Sequence, residues 1–491
     1  MKTKTVKIIT AASVAALALL SAAGAGAMAD YSVYVNAKGE TMELEKGSTY
    51  AIGASGAGPI DEDDVYVLTA DGLEKLCDSS SGEPDYSDDD YKGGGGLQYD
   101  NGSVRIASDK VFVGLKYYYS PARDTGLETA NLENAVGRGY EFGYFDEDRE
   151  FVTLDYTDET RITMRITSGS GIGVYITGTE RLLFEVPVTN AQNMLAVRPM
   201  CDNADAVTWF AGHRYYGDFA YAVLGGGKIT VVNAVDMEQY VMGVCSREMS
   251  SSWPLEALKA QAVAARTYAA KNVKNSIYYY NCGFDVTGDT YSQAYSGCDA
   301  VGSRIESAAQ ETANEYLTWS GGLCDAQYFS SDGGATEDNE NVYGNSAHPY
   351  LIGVVDPYES AVDSINNYSE WSCTMTSSEL GKKVGLSDVN QVKAAYSDTG
   401  NVIKLTLASS SGKEAVISRS YCRTTLGLPS IRYSVEKNRS GDFVFTGSGW
   451  GHNIGMSQFG AYAMAEYYDK TYKDILGFYY TGVGLSYGKM H

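Results

Sequence analysis

One glutamate, Glu248, has a setting in the sequence that suits acid–base chemistry. A serine-rich turn follows it and leads to Pro254, which is pre-set for the first turn of a helix, with Ser251 or Ser252 placed to cap the free amides. The pattern predicts a helix over residues 254–274, with a lone carboxylate on the loop before its N-terminal end. A carboxyl group mounted in this way could serve as a general acid.

The predicted helix carries two cations on one side. Its apolar face is lined at helical spacing by Leu258 and three alanines, Ala262, Ala265 and Ala269, which indicates a core helix. Lys259 and Arg266 lie seven residues apart and share a side of the helix, with Glu256 in position to pair with Lys259. For Lys259, a solvated charge and a substrate contact both remain open. For Arg266, a solvated charge is the weaker of these two interpretations, because this residue lies within the alanine run.

A glycine-rich segment and a pair of serines add polar groups that could line a cleft. The segment 447–451 contains three glycines, which let the backbone approach a ligand closely, and His452 and Gln458 follow it. His452 could bond a substrate or brace the loop, and the sequence leaves both open. Ser330 and Ser331 lack the G-x-S-x-G pattern of a nucleophile elbow, so they are interpreted as part of a cleft wall.

Composition and charge limit the classes of function. The chain has 491 residues and is 44% hydrophobic, which supports two or three folded domains. Three lysines precede the apolar run 8–20, and a small-residue cleavage pattern ends at Ala29. Residues 1–29 are therefore predicted to be the cleaved signal peptide of an exported protein, with an uncleaved membrane anchor as the alternative. Loss of those three lysines takes the net charge from −24 to −27, which argues against nucleic acid as a partner.

The cysteines and histidines do not suggest a metal centre. The eight cysteines include no C-x-x-C pair and could form up to four disulfides, whose pairing the sequence leaves open. Proximity alone makes Cys282 with Cys298 the first guess. The four histidines are scattered and have no metal-ligand spacing. We therefore predict no metal and no cofactor.

Composition shifts divide the rest of the chain into four predicted segments. Alternating residues over 30–77 indicate a small β-rich module, and the acidic and glycine-rich stretch 78–103 is predicted to be a linker. Strand-like runs over 104–200 indicate a β-rich accessory module. Residues 201–491 are expected to form the catalytic domain, with helices between strands such as 402–407. The predicted fold class is an α+β catalytic domain with interleaved helices and strands, preceded by β-rich N-terminal modules.

Four separated motifs resemble those of one known family. The run 240–268, the pieces 330–337 and 426–430, and the block 447–461 are similar, in this order, to signatures of the stage II sporulation protein D (SpoIID/LytB) family. The resemblance covers roughly residues 215–485. It implies a peptidoglycan lytic transglycosylase of a Gram-positive bacterium, active in cell-wall remodelling or sporulation.

This resemblance implies a chemistry that needs a single carboxyl group. In a lytic transglycosylase, one acid protonates the oxygen that bridges MurNAc and GlcNAc, and its carboxylate then takes the proton of the muramoyl C6 hydroxyl as a 1,6-anhydro ring closes. The resemblance places this acid at Glu248. The residues implied to bind substrate are Lys259, Arg266, Ser330, Ser331, His452 and Gln458. Because adjacent cations lower the pKa of a carboxyl group, Lys259 and Arg266 are expected to hold substrate carboxylates rather than touch Glu248.

The sequence departs from the family pattern at two places. Some relatives have a zinc-binding His-Cys pair before the Gln-x-Tyr that begins here at Gln293, but this chain has Tyr291 and Ser292, so no zinc is expected. Asn453 stands where relatives usually have glycine, which puts the conformation of that loop in question.

The resemblance also implies partners and an alternative function. It implies peptidoglycan glycan strands as the substrate and other cell-wall hydrolases, such as an amidase, as partners. Part of the family has been regarded as enhancers of amidases. A non-catalytic, wall-binding regulator is therefore the alternative to an enzyme, and the product formed from glycan would discriminate between them.

Overall fold

The computed structural model divides the chain into two units, residues 1–88 and 89–491. The described residues are Leu97, 102–134, 138–201, 207–344 and 347–490, together with the backbone of six strands that precede residue 78. The predicted signal peptide and nearly all of the predicted linker over 78–103 lie outside the described residues. No helix in the described part of the chain is long and apolar enough to cross a membrane.

The first unit contains short antiparallel strands. They are β1 (Ser32–Val35), β2 (Thr41–Leu44), β3 (Tyr50–Gly53), β4 (Gly56–Pro59), β5 (Val65–Thr69) and β6 (Gly72–Cys77). Strands β1 and β2 pair with one another, and the other four form a sheet in the order β4-β3-β6-β5. The segment 30–77 therefore contains the strands that its alternating sequence predicts.

The second unit is a mixed structure of helices and several sheets. Its strands are β7 (Ser103–Arg105), β8 (Lys110–Lys116), β9 (Tyr118–Ser120), β10 (Arg123–Asp124), β11 (Thr129–Asn134), β12 (Tyr140–Phe145), β13 (Phe151–Thr157), β14 (Arg161–Ile166), β15 (Ile172–Ile176), β16 (Leu182–Val186), β17 (Leu195–Pro199), β18 (Thr208–Phe210), β19 (His213–Tyr215), β20 (Asp218–Val223), β21 (Ile229–Asp236), β22 (Val286–Thr287), β23 (Glu315–Trp319), β24 (Gly322–Leu323), β25 (Tyr328–Phe329), β26 (Trp371–Met375), β27 (Gln391–Tyr396), β28 (Val402–Ala408), β29 (Glu414–Ser418), β30 (Tyr433–Lys437), β31 (Phe443–Gly447), β32 (Met456–Ser457) and β33 (Gly484–Lys489). Its α-helices are α1 (Met237–Glu248), α2 (Leu255–Asn272), α3 (Ile277–Cys282), α4 (Ser303–Glu311), α5 (Asn339–Tyr343), α6 (Ser377–Val384), α7 (Tyr421–Thr424), α8 (Gln458–Tyr467) and α9 (Tyr472–Tyr479), and short 3-10 turns cover Gly225–Gly227 and Glu359–Val362.

The largest sheet joins the two segments that the sequence predicted to be separate modules. Its seven strands run in the order β13-β12-β17-β20-β21-β8-β22. Strand β8 pairs antiparallel with β21, with Val113 opposite Asn233, and lies parallel to β22. The predicted boundary between residues 200 and 201 is therefore corrected, because strands from 104–200 complete the sheet that supports α1. Strands β20 and β21 form a hairpin across the 225–227 turn.

Helix α2 is the central element of the main core. Twelve of its 18 residues are buried, so it is enclosed by its neighbours rather than lying on the surface. It packs against α1, α4, α8, α9 and β23. The alanine-rich sequence makes this possible, because small side chains let the backbones of five elements approach one helix. An added methylene at a buried alanine would overpack this core at a cost of roughly 1–3 kcal/mol.

A second, smaller core lies in the segment 371–447. The sheets β26-β31-β30 and β27-β28-β29 enclose it together with α6. Strand β28 confirms the strand predicted over residues 402–407. Helix α6 begins with a capping box in which Thr376 and Glu379 each bond the other's backbone amide.

The predicted disulfide between Cys282 and Cys298 is wrong. Both are buried free thiols, and they contact different carbonyl groups, those of Tyr118 and Arg214. Proximity in sequence misled here because Cys282 ends α3, whereas Cys298 lies beside strand β19.

Candidate active site

Glu248 is the last residue of helix α1, not part of a loop before α2. Helix α1 begins after Asp236, whose carboxylate accepts hydrogen bonds from the amides of Glu238 and Gln239. Helix α2 has Pro254 as its N-cap and no side-chain cap, and the hydroxyl of Ser252 bonds that of Ser250. The predicted serine cap is therefore corrected.

The carboxylate of Glu248 is partly buried and accepts two hydrogen bonds from neutral groups. The Ala294 amide donates to Oε1 at 3.0 Å, and Nε2 of Gln458 donates to Oε2 at 3.1 Å. Burial raises the pKa of the Glu248 carboxyl above its usual value of 4.5, against the lowering effect of these two bonds and of the charge of Arg247. Its place at the C-terminal end of a helix disfavours the charged form as well. A raised pKa is what a general acid requires.

Gln458 reaches Glu248 from the start of helix α8. The hydroxyl of Ser457 caps this helix by accepting the amide of Gly460 at 3.1 Å. The Nε2 of Gln458 also lies 3.3 Å from Oε1 of Gln261, a fully buried residue of α2 whose own Nε2 has no partner among the described residues. The amide of Gln458 therefore bonds the acid without adding charge, and Gln261 helps to hold that amide in place.

The loop that follows strand β22 supplies the other donor to Glu248. Gln293 fixes this loop, since its side chain accepts the hydroxyl of Tyr240 at 3.0 Å and donates to the hydroxyl of Tyr328 at 2.9 Å. Ala294 is thereby held with its amide toward Glu248. The Gln-x-Tyr pattern marks this loop in the sequence, but a backbone donor has no sequence signal, so Ala294 was not predicted.

Both predicted substrate-binding cations are engaged by acidic side chains. Arg266 is fully buried and binds both oxygens of Glu238, at 2.8 and 2.6 Å. Lys259 pairs with Glu256 at 2.7 Å, as its spacing predicts, and with Glu311 at 2.8 Å. A glycan could not reach the Arg266 guanidinium in this arrangement. Arg266 therefore positions α1 against α2, rather than offering donors to a substrate carboxylate.

The two predicted serines differ in their surroundings. Ser330 is partly exposed, and its carbonyl accepts the amide of Phe459 in α8 at 3.0 Å, which places it beside the start of that helix. Ser331 is fully buried, and its hydroxyl donates to Glu359 at 2.5 Å. The expectation that Ser331 lines the cleft does not fit this burial, whereas Ser330 retains access.

His452 braces its loop through both ring nitrogens. Its Nδ1 accepts the amide of Ile454 at 3.1 Å, so Nε2 carries the proton and donates to the carbonyl of Tyr328 at 3.0 Å. Burial lowers the pKa of His452 to about 4, and Arg423 adds to this. His452 is therefore neutral at pH 7. Of the two alternatives left open by the sequence, these contacts favour bracing.

Asn453 adopts the left-handed backbone conformation that favours glycine. Its φ is 64°, and its side-chain amide donates to the carbonyls of Asp332 and Ala335 at 3.1 and 3.2 Å. Asparagine tolerates this conformation better than most residues. The loop conformation thus accommodates the departure from glycine.

A cluster of potential metal ligands in the described part of the chain consists of three buried carboxyl groups. Asp332, Asp356 and Glu359 each offer an oxygen, and these oxygens lie within 4.8 Å of one another. Burial and the charges of Glu359 and Asp356 raise the pKa of Asp332 well above its usual value. A proton on Asp332 would reduce the repulsion without any cation. Oxygen ligands suit calcium or magnesium better than zinc, and the prediction of no metal stays a prediction.

Comparison with known proteins gives one family. The sequence profile of the stage II sporulation protein family (SpoIID) matches residues 225–319. An uncharacterised protein of Brachyspira hyodysenteriae is 37% identical over 287 residues, which cover 56% of this chain and 73% of that protein. Stage II sporulation protein D of Bacillus subtilis is 32% identical over 268 residues, which cover 52% of this chain and 76% of that protein. The amidase enhancer of Bacillus subtilis is 31% identical over 292 residues, but the match spans only 40% of that longer protein.

Proposed function

Because the chain belongs to the stage II sporulation protein D family, we propose that it is an exported peptidoglycan lytic transglycosylase that uses Glu248 as its general acid and then its general base. The substrate would be the glycan strand, cut between MurNAc and GlcNAc. Family membership supports the coarser statement of a role in the cell wall. The specific reaction is our proposal.

The observation that carries the proposal is the setting of the Glu248 carboxyl. It is partly buried, its pKa is raised, and both of its hydrogen-bond donors are neutral amides. A single carboxyl group in this setting is sufficient for a reaction in which the substrate's own hydroxyl, rather than water, is the nucleophile.

The proposed steps balance without a cofactor. The Glu248 proton moves to the bridging oxygen as the C1–O bond breaks, which frees the GlcNAc hydroxyl. The Glu248 carboxylate then takes the proton of the C6 hydroxyl as O6 bonds to C1, so the acid is regenerated and no water is consumed. Gln458 and the Ala294 amide would steady the carboxylate between these steps.

The replacement Glu248→Gln tests the proposal. Glutamine keeps the size of the side chain but cannot give or take the proton, so we expect turnover to fall by roughly 10²–10⁴-fold. Wild type and variant would be incubated with intact and with peptide-stripped glycan, and the fragments would be weighed by mass spectrometry. Anhydro-muramoyl ends support the proposal, and ends one water heavier would indicate a hydrolase instead.

The alternative is a non-catalytic enhancer of an amidase, favoured by the similarity to an amidase enhancer. This function predicts that wild type forms neither product on either glycan but raises the rate of an added amidase, and that Glu248→Gln does the same. Export is a separate proposal that rests on the predicted signal peptide. Its test is the mass of the secreted chain, which should begin after residue 29.

A further inference from the structure

The substrate proposed above carries carboxylates, yet the cations expected to bind them are engaged elsewhere. Arg266 is fully buried on Glu238, and Lys259 is held by two glutamates. A cation that recognises substrate must be accessible and must have donors to spare. Arg123, on strand β10, meets both conditions.

The guanidinium of Arg123 has aromatic partners. It lies over the ring of Tyr291, 3.3 Å from the centroid, and 5.7 Å from the centroid of Tyr119. Its Nη1 donates to the hydroxyl of Tyr278 at 3.0 Å. No carboxylate of the described residues forms an ion pair with it, although the chain has 62 acidic and only 38 basic residues.

These contacts fix the orientation of a partly exposed guanidinium. The Arg123 side chain is partly exposed, and Tyr291 is 53% exposed. A guanidinium held over a ring keeps the planar fork of N–H groups that matches a carboxylate in two-point contact. Because the rings already restrict the side chain, a ligand would lose less entropy in ordering it.

The position of Tyr291 connects this group to Glu248. Tyr291 lies three residues before Ala294, whose amide donates to the acid, so the backbone between them spans at most about 10 Å. The next residue, Ser292, is anchored because its hydroxyl accepts the amide of Thr287 at 3.1 Å. The Arg123 guanidinium is therefore close enough to Glu248 to be reached by a glycan strand that binds at the acid.

We propose that Arg123 and Tyr291 form a subsite that binds a carboxylate of the peptidoglycan strand next to the cleavage point. The inference rests on the proposed function for the identity of the ligand. The carboxylate has two sources, the lactyl group of a peptide-stripped MurNAc residue or the carboxylates of an attached peptide. Arg123 precedes the matched family segment 225–319, whereas Tyr291 lies within it, so the preceding strands would contribute the cation of this subsite.

The test uses binding, so that it does not depend on turnover. Glu248→Gln protein and the same protein with Arg123→Ala would be titrated with peptide-stripped strands, with peptide-bearing strands and with chitooligosaccharide, which has no carboxylate. We expect Arg123→Ala to raise the Kd for at least one kind of strand by about tenfold and to leave chitooligosaccharide within about twofold. An effect confined to stripped strands assigns the lactyl carboxylate, and one confined to peptide-bearing strands assigns the peptide.

Two further variants and one matched control sharpen the result. Arg123→Lys keeps the charge without the planar fork and should recover only part of the affinity, while Tyr291→Ala removes the ring that orients the guanidinium and should weaken binding of the same strand, by less than Arg123→Ala does. Arg165→Ala removes another arginine that lies over a tyrosine ring, Tyr175 at 4.8 Å, and should change nothing. Thermal unfolding of each variant would establish that it is folded.

Several outcomes would overturn the inference. The first is that Arg123→Ala leaves the binding of both kinds of strand unchanged. The second is an equal loss of affinity for all three ligands, which would mean that Arg123 only braces the loop. The third is that the parent protein binds no strand. If wild type forms no anhydro ends but binds strands through Arg123, the proposed function fails and this inference stands. If anhydro ends form and Arg123→Ala changes no binding, the proposed function stands and this inference fails.

Discussion

Glu248 and Glu359 are two carboxyl groups of the second unit whose pKa is raised, and their surroundings differ in access and in hydrogen bonding. Glu248 is partly exposed and accepts bonds from two amides. Glu359 is 2% exposed and accepts bonds from the hydroxyls of Ser331 and Ser457 and from backbone amides. A raised pKa is therefore not by itself a mark of catalysis. An acid must also be able to meet a substrate.

The buried carboxyl group of Glu359 helps to position the side chain that bonds the accessible carboxyl group of Glu248. Glu359 binds Ser457, the cap of α8, and the next residue along the chain, Gln458, donates to Glu248. It also holds Ser331, one residue from the carbonyl that accepts the first turn of α8. The buried carboxylate thus fixes the helix end that presents an amide to the acid.

The largest change in stability is expected for Glu359→Gln. One of its oxygens would become an NH2 group facing hydroxyl and amide donors, so buried groups would lose their acceptor. We expect the free energy of unfolding to fall by about 2–4 kcal/mol, measured by urea denaturation. Glu248→Gln is the matched control and should change it by less than about 1 kcal/mol. Equal losses of stability for the two replacements would contradict the distinction between a buried structural carboxyl group and an accessible one.

For Asp332→Asn we expect a smaller change in the free energy of unfolding, with the opposite sign. The folded pKa of Asp332 lies above its usual value of 3.8, so its contribution to stability is present below that value and is lost as the pH rises through the folded pKa. Asparagine has no proton to lose. The variant should match wild type near pH 4 and be more stable by about 1 kcal/mol at pH 7, as measured by thermal unfolding at several pH values.

The response to added calcium provides a result that would contradict this prediction. If the three carboxylates hold a cation rather than a proton, added calcium should stabilise wild type, and Asp332→Asn should abolish that effect. The asparagine variant would then be the less stable protein at pH 7. Thermal unfolding with and without calcium, with a chelator as the control, separates the two accounts.

Motif order and local spacing predicted part of the site. Glu248 and Gln458 were singled out from separate motifs and are bonded to one another. The Glu256–Lys259 pair followed from helical spacing. The partner of Arg266 could not be found in this way, because Glu238 lies in the preceding helix, 28 residues away. A burial pattern indicates that a cation is enclosed but not which acid encloses it.

The limits of the fold prediction have a similar cause. Periodicity indicated the mixture of helices and strands, and it located α2 to within two residues at each end. It could not reveal that β8 pairs with β21, because that contact joins residues 120 apart, such as Val113 and Asn233. The false boundary near residue 200 came from the same lack of long-range information.

The most direct test of the central claim is the pH dependence of kcat/KM for anhydro-end formation, since this quantity reports the acid of the free enzyme. If Glu248 acts as the protonated acid, the rate should fall as the pH rises, with a midpoint above 4.5. Gln458→Ala removes a hydrogen bond that favours the carboxylate and should move the midpoint further upward. A flat profile in wild type, or a Gln458→Ala midpoint below that of wild type, would contradict the account.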